Sequence, residues 1–318
     1  MSDFQVSEII CMGTNIIQKV YGENANKALL EVECKMRQIE DSMSFFKESS
    51  EIGRLNNSAG IKEVQLSEEV LYVLKAAKHF SEKSNGSFDV TAAPLIEAWG
   101  VFTRNERIPC NDEINEKLKL INYRDLEINE DKKTAKLLRR GQKVDLGAIA
   151  KGYAADAAIE IYKKNCVDGA FINLGGNVLV YGEKPDKSPW GIGIQNPLLK
   201  RGEIVGIVNV KNKSVVTSGD YVRFFEKGNV RYHHILDPKT GYPSNSGISS
   251  VTVISENSME SDALSTAAFV LGIYKGLELI ENTLNAEAIF ITDTKEIYVT
   301  EGIKEDFYFI EESGFKYN

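Results

Sequence analysis

From Ala25 onward the apolar positions Ala28, Leu29, Val32, Met36, Ile39 and Met43 follow one another mostly at steps of three and four. That spacing puts them on one stripe of a helix running from about Asn24 to Phe46. A second helix is expected from about Ser67 to Ser84. Ser67 suits its start, Glu68 and Glu69 fill its first turn, and Asn85-Gly86 stops it. Ahead of the first helix, Val6 to Val20 reads as strand. Beyond Ile128 the pattern turns mostly extended, broken by a helix over Ala148 to Lys164. "GAFINLGGNVLVYGE" predicts two short strands around a glycine turn, and "GEIVGIVNVKNKSVVTSG" a hairpin. "SSVTVISE" predicts a strand feeding a helix near Ser258, and "AEAIFITDTKEIYVTEG" a closing hairpin around Thr294. Helices and strands mix without a strand–helix–strand rhythm, which predicts an α+β fold rather than a doubly wound sheet. With no Pro-, Gly- or Ser-rich linker, a single domain over 1–318 is the simplest expectation.

Composition adds a constraint. The chain has 318 residues, 42% hydrophobic and 26% charged, the balance of an ordinary globular protein. Its net charge of -8 excludes a general field that draws nucleic acid or an anionic membrane surface. An anionic ligand must therefore be held by local donors, a metal or a helix end. Cys11, Cys34, Cys110 and Cys166 are scattered without a C-x-x-C, so they are expected as small buried hydrophobes rather than disulfides or zinc ligands. Three histidines, His79, His233 and His234, weaken a zinc-enzyme reading further. The start "MSDFQVSEIICMGTNI" lacks the basic and apolar regions of a leader, and no later segment is a long apolar run free of charge. The expectation is no transmembrane segment and a cytoplasmic location, with a processed, exported form left open.

Three stretches offer chemistry. In "KVDLGAIAKGYAADAA" an apolar strand end meets Asp145, then Gly147, then a helix with Lys151 in its first turn. This is either a strand-to-helix corner with a salt bridge or a phosphate site at a helix start. In "MESDALSTAAFVLG", Asp262 and Thr266 stand four apart and share a helix face. They are hard oxygen ligands for Mg²⁺ or Ca²⁺, or else a helix-start carboxylate and a hydroxyl bonded back to a carbonyl. In "YHHILDPKTGYP", His234 precedes an Asp-Pro/Thr-Gly turn, as a packing residue or as a base. The glycines of "FINLGGNV" make a turn or let a ligand approach the backbone. Neither G-x-G-x-x-G nor a P-loop occurs, so the phosphate devices of nucleotide folds are missing.

Taken in order, "CMGTNI", "SSEIGRLN", "GSFDVTAAPLIEAWG", "VDLGAIAKGYAADAA", "INLGGNV", "TSGDY", "HILDPKTGYP" and "SDALSTAAFVLG" resemble the ApbE family, the FAD:protein FMN transferases. The resemblance implies a largely antiparallel mixed sheet with packed helices. It also implies a Mg²⁺-dependent enzyme, with Ca²⁺ or Mn²⁺ as alternatives, that moves FMN from FAD onto a Ser or Thr of an acceptor protein and releases AMP. An FAD pyrophosphatase and a non-catalytic FAD carrier are the competing readings. By resemblance Asp262, Thr266 and the Ala148 carbonyl hold the metal, with Ser265 beside them, and Asp145 and Lys151 contact FAD, Lys151 near the pyrophosphate. Met12, Thr91, Ala92, Ala93, Phe46 and the backbone near Leu236 line the flavin pocket. Gly175 and Gly176 admit the ligand, and His234 is the family histidine. Ala93, Ser265 and Phe46 stand where relatives commonly carry glycine, alanine and tyrosine.

Overall fold

The computed structural model describes residues 4–101, 103, 105–228 and 230–318. Its contacts divide the chain into two compact units. The first comprises Met1–Glu40, Lys151–Gly219 and Gly247–Asn318, the second Asp41–Ala150 and Asp220–Ser246.

The first unit is built on a nine-stranded sheet. In spatial order its strands are Phe4–Cys11, Thr14–Tyr21, Gly169–Leu174, Asn177–Gly182, Ser214–Gly219, Ile248–Ser255, Glu287–Thr292, Glu296–Val299 and Lys316–Tyr317. Every pairing is antiparallel except the last. A smaller antiparallel sheet orders Phe307–Phe309, Ile204–Val210 and Trp190–Gln195. Val205, Val208, Ile254, Ile289, Ile291 and Ile297 share one fully buried core. The helix Ser258–Glu281 packs on Ser214–Gly219 and Ile248–Ser255. By length and apolarity it could cross a membrane, yet just over half of its most apolar window is buried inside the protein.

The second unit carries the helices Glu51–Asn57, Glu68–Lys83, Ala93–Trp99 and Asn111–Leu118. It also holds a three-stranded sheet of Val64–Gln65, Thr134–Leu137 and Leu126–Asn129, and the hairpin Phe224–Lys227/Val230–His233. Trp99 is the centre of one of its cores, with Leu95, Ile114 and Leu236, and its Nε1 donates to the Gly241 carbonyl at 2.8 Å. Gly241 has φ 78°, and a Cβ there would lie 2.4 Å from the Ile114 side chain, so only glycine closes this turn.

The α+β reading agrees with these sheets and helices. The stripe Ala25 to Met43 is buried throughout, on a helix of Ala25–Met43. Ser67 caps Glu68–Lys83 by accepting from Val70 N. Other expectations are corrected. The strand read over Val6 to Val20 is two strands, because Met12 (φ 53°) and Gly13 (φ 68°) turn the chain into a hairpin. "GEIVGIVNVKNKSVVTSG" is no hairpin: Ile204–Val210 and Ser214–Gly219 belong to different sheets. Val144 ends no strand, and the helix after it begins at Ala150. Of the cysteines only Cys11 is buried; Cys34, Cys110 and Cys166 are exposed.

Candidate active site

In the first unit two helix starts face one another. Asp262, only 4% exposed on Ser258–Glu281, accepts from the Gly152 N–H of Ala150–Lys164 at 3.0 Å through Oδ2. The Lys151 Nζ stands 3.5 Å from the same oxygen. Among the described residues none donates to Oδ1. In return, Asp156 on the Ala150–Lys164 helix accepts from Ser258 N at 2.8 Å and Met259 N at 2.9 Å. Each helix thus gives a carboxylate to the orphan N–H groups of the other. Gly152 permits the crossing, since a Cβ there would lie 2.3 Å from the Ser258 carbonyl oxygen. Burial pushes the Asp156 carboxyl up to about 6, against the opposing pull of its two N–H donors.

Beside Asp262 runs a row of hydroxyls. Ser218 Oγ, at the end of Ser214–Gly219, lies 2.9 Å from Ser265 Oγ and 3.2 Å from Thr266 Oγ1. Ser265 is fully buried and donates to the Asp262 carbonyl at 3.0 Å, whereas Thr266 is partly open to solvent. Asp262, Lys151, Ser265 and Thr266 are therefore brought together, as one buried carboxylate, one cation and hydroxyl oxygens. Among the described residues no group of three or more His, Cys, Asp or Glu gathers as a metal cage. This donor set suits a hard cation that completes its shell with oxygens of a phosphate ligand.

The sheet brings Met12, Gly175 and Gly176 to one end. Ile16 pairs with Leu174, so the Met12-Gly13 and Gly175-Gly176 turns lie side by side. Gly175 (φ 66°) has no room for a Cβ, which would sit 2.0 Å from Thr14 Oγ1, while at Gly176 (φ 106°) the space is open. Asn177, next in sequence, is buried and bonds Ser258 Oγ through Oδ1 at 2.7 Å.

In the second unit Asp145 forms an Asx turn, its Oδ1 accepting from Gly147 N at 3.0 Å, and its own N–H donates to Val90 O. Ala148 follows in that turn, and no described N–H donates to its carbonyl, leaving a hard neutral oxygen of metal-ligand type. Thr91 is fully buried, its hydroxyl held between Asp89 (2.6 Å) and Asn122 N (2.9 Å). Burial pushes the Asp89 carboxyl up from its usual range. Ala93 is fully buried too, and Ala92 is the partly open member of that segment. Phe46 is 62% exposed, edge-on to Phe45. Leu236 is buried and forms a bridge with Pro243 across the Asp237 turn. His234 is partly exposed, its Nδ1 3.2 Å from the Arg223 carbonyl. A carbonyl only accepts, so Nδ1 is the donor in this contact.

Residues 12–290 match the model of the ApbE family. The chain belongs to the ApbE family. An FAD:protein FMN transferase of Klebsiella pneumoniae is 33% identical over 94% of this chain and 93% of its own length. One of Treponema pallidum is 32% identical over 95% and 88%. Among solved structures, the ApbE protein of Thermotoga maritima superposes with TM-score 0.88 at 34% identity, covering 96% of this chain and 99% of that one. The apo flavinyl transferase ApbE of Pseudomonas stutzeri gives 0.84 at 30%, covering 96% and 97%. Within this ApbE chain, sequence reasoning passed over Ser218, Asp156 and Asp89. "TSGDY", "AADAA" and "SFDVT" contain them, but only closure of the fold shows what each side chain bonds.

Proposed function

We propose that this chain is an FAD:protein FMN transferase. It cleaves the FAD pyrophosphate, joins the FMN phosphorus to a Ser or Thr hydroxyl oxygen of an acceptor protein, and releases AMP. The observation that carries the reading is the convergence of Lys151, Asp262, Thr266 and Ser218 at two helix starts. It stands in a chain similar, over nearly its whole length, to proteins named for this reaction. In a protein of net charge -8, such a local device is what a pyrophosphate requires.

Mg²⁺, or Ca²⁺ or Mn²⁺ in its place, would be held by Asp262 and Thr266, with Ser265 fixing the Asp262 backbone and sharing Ser218 with Thr266. When bound, such a cation offsets phosphate charge and stabilises the departing AMP. Lys151 binds pyrophosphate oxygens and, before FAD arrives, stands against Asp262. By the family resemblance, His234 takes the proton of the acceptor hydroxyl. Met12, Ala92, Phe46, Gly175 and Gly176 are assigned to the flavin end by the family resemblance.

Incubation with FAD, Mg²⁺ and a Ser/Thr-containing acceptor tests this. In-gel flavin fluorescence on the acceptor together with AMP release is the expected result. AMP without labelled acceptor makes the protein a pyrophosphatase, and FAD retained unchanged makes it a carrier.

A further inference from the structure

Asp156 lies outside every role assigned above, yet it closes a ring of contacts around Asp262. Gly152 and Asp156 stand one turn apart on the same face of Ala150–Lys164. Ser258 and Asp262 stand one turn apart on the facing helix. Gly152 N bonds Asp262 and Asp156 bonds Ser258 N and Met259 N, so the four positions form a closed loop with backbone on both sides. The two backbones approach so closely that a Cβ on Gly152 would lie 2.3 Å from the Ser258 carbonyl oxygen and 2.5 Å from Met259 Cα. We infer that Asp156 is a positioning residue: it holds the start of the Ser258–Glu281 helix so that Asp262 keeps one oxygen on Gly152 and turns the other to the metal. This rests on the metal role proposed for Asp262.

An outer partner that orients a metal ligand is worth about 10- to 100-fold in metal affinity. An asparagine at this position keeps the shape but offers one acceptor where two N–H groups need one each. The test measures Mn²⁺ binding by electron paramagnetic resonance, in the presence of FAD, for wild type and Asp156→Asn. AMP release against Mg²⁺ is followed in parallel. The expected result is a folded variant that binds Mn²⁺ about 10- to 100-fold more weakly, with activity recovered by excess Mg²⁺. Ser258→Pro, compared with Ser258→Ala, provides a second route. Ser258 is the first helical residue after the Asn257 cap, where proline fits, so the pair separates loss of one N–H from loss of the hydroxyl. Weaker Mn²⁺ binding in the proline variant than in the alanine variant supports the inference. A purely structural Asp156 would lower the unfolding temperature while leaving Mn²⁺ affinity of the folded protein unchanged, and that result overturns it. A wild type that neither binds Mn²⁺ nor releases AMP overturns the functional reading itself, and the inference with it.

Discussion

Asp262 commits one oxygen to the Gly152 N–H and leaves the other without a donor among the described residues, and this division sets what its replacement costs. Asp262→Asn retains an acceptor for Gly152 but removes the charge that dominates affinity for a hard cation. AMP release should fall by on the order of 100-fold or more and resist added Mg²⁺, whereas Thr266→Ala should be partly restored by excess Mg²⁺. EDTA should silence wild type. Metal-independent AMP release, or an unimpaired Asp262→Asn, would place the centre elsewhere. The two adjacent histidines separate in the same way. His234→Ala should lose about 100- to 10,000-fold in transfer while keeping FAD affinity, as loss of a base does; collapse of FAD binding would mark the residue as structural. His233 is buried, with Nε2 donating to Ser244 O at 3.0 Å and Nδ1 accepting from Ile235 N. Burial depresses its protonation below the ordinary value of 6.5. The unfolded chain therefore takes up the proton first, and stability present above about 6.5 is lost as pH falls, by at most about 1.4 kcal/mol per pH unit. Urea midpoints between about pH 7 and 5 should fall less steeply in His233→Gln; equal slopes would show that the ring does not drive the loss.

The elements that were legible in sequence are those with local causes. Ala25–Met43 follows from an apolar period, and Glu68–Lys83 from a serine start and an asparagine-glycine stop. The misread ones depend on distant partners. Ile204–Val210 and Ser214–Gly219 are two strand-forming runs joined by three residues, the pattern of a hairpin. Their neighbours come instead from Trp190–Gln195 and Phe307–Phe309 on one side, and from Asn177–Gly182 and Ile248–Ser255 on the other. Met12 hid a turn because methionine is an uncommon residue at positive φ. Asp262 and Thr266 were readable as a pair because helical spacing alone aligns them. Ser218 was not, since its approach to Ser265 and Thr266 exists only once the helix lies on the strand. That packing also supplies a stability prediction. Gly152→Ala forces a methyl against the Ser258 carbonyl and should cost about 1–3 kcal/mol, in the range of overpacked cores. Thermal unfolding measures it, and a wild-type midpoint would mean the helix starts separate easily.

At the scale of the whole molecule, charge works against the ligand. The chain carries -8, and FAD brings a pyrophosphate of about two negative charges, so their long-range interaction is repulsive, even though the contact proposed for Lys151 is attractive. Repulsion between solvent-exposed charges is screened over about 10 Å at 0.1 M salt, while a contact inside the site is screened much less. Encounter and retention should therefore respond to salt in different ways. The association rate of FAD, followed by stopped-flow flavin fluorescence at fixed Mg²⁺, should rise by about two- to three-fold between roughly 20 and 200 mM salt. Riboflavin has no phosphate and should show a flat association rate over the same range. It should also bind more weakly than FAD, since it offers nothing to Lys151 or to a metal at Asp262. A FAD association rate that falls steeply with salt would reveal a basic funnel at the site strong enough to overcome the net charge. The phosphate would then be captured by a surface field, not by the local cluster at the two helix starts.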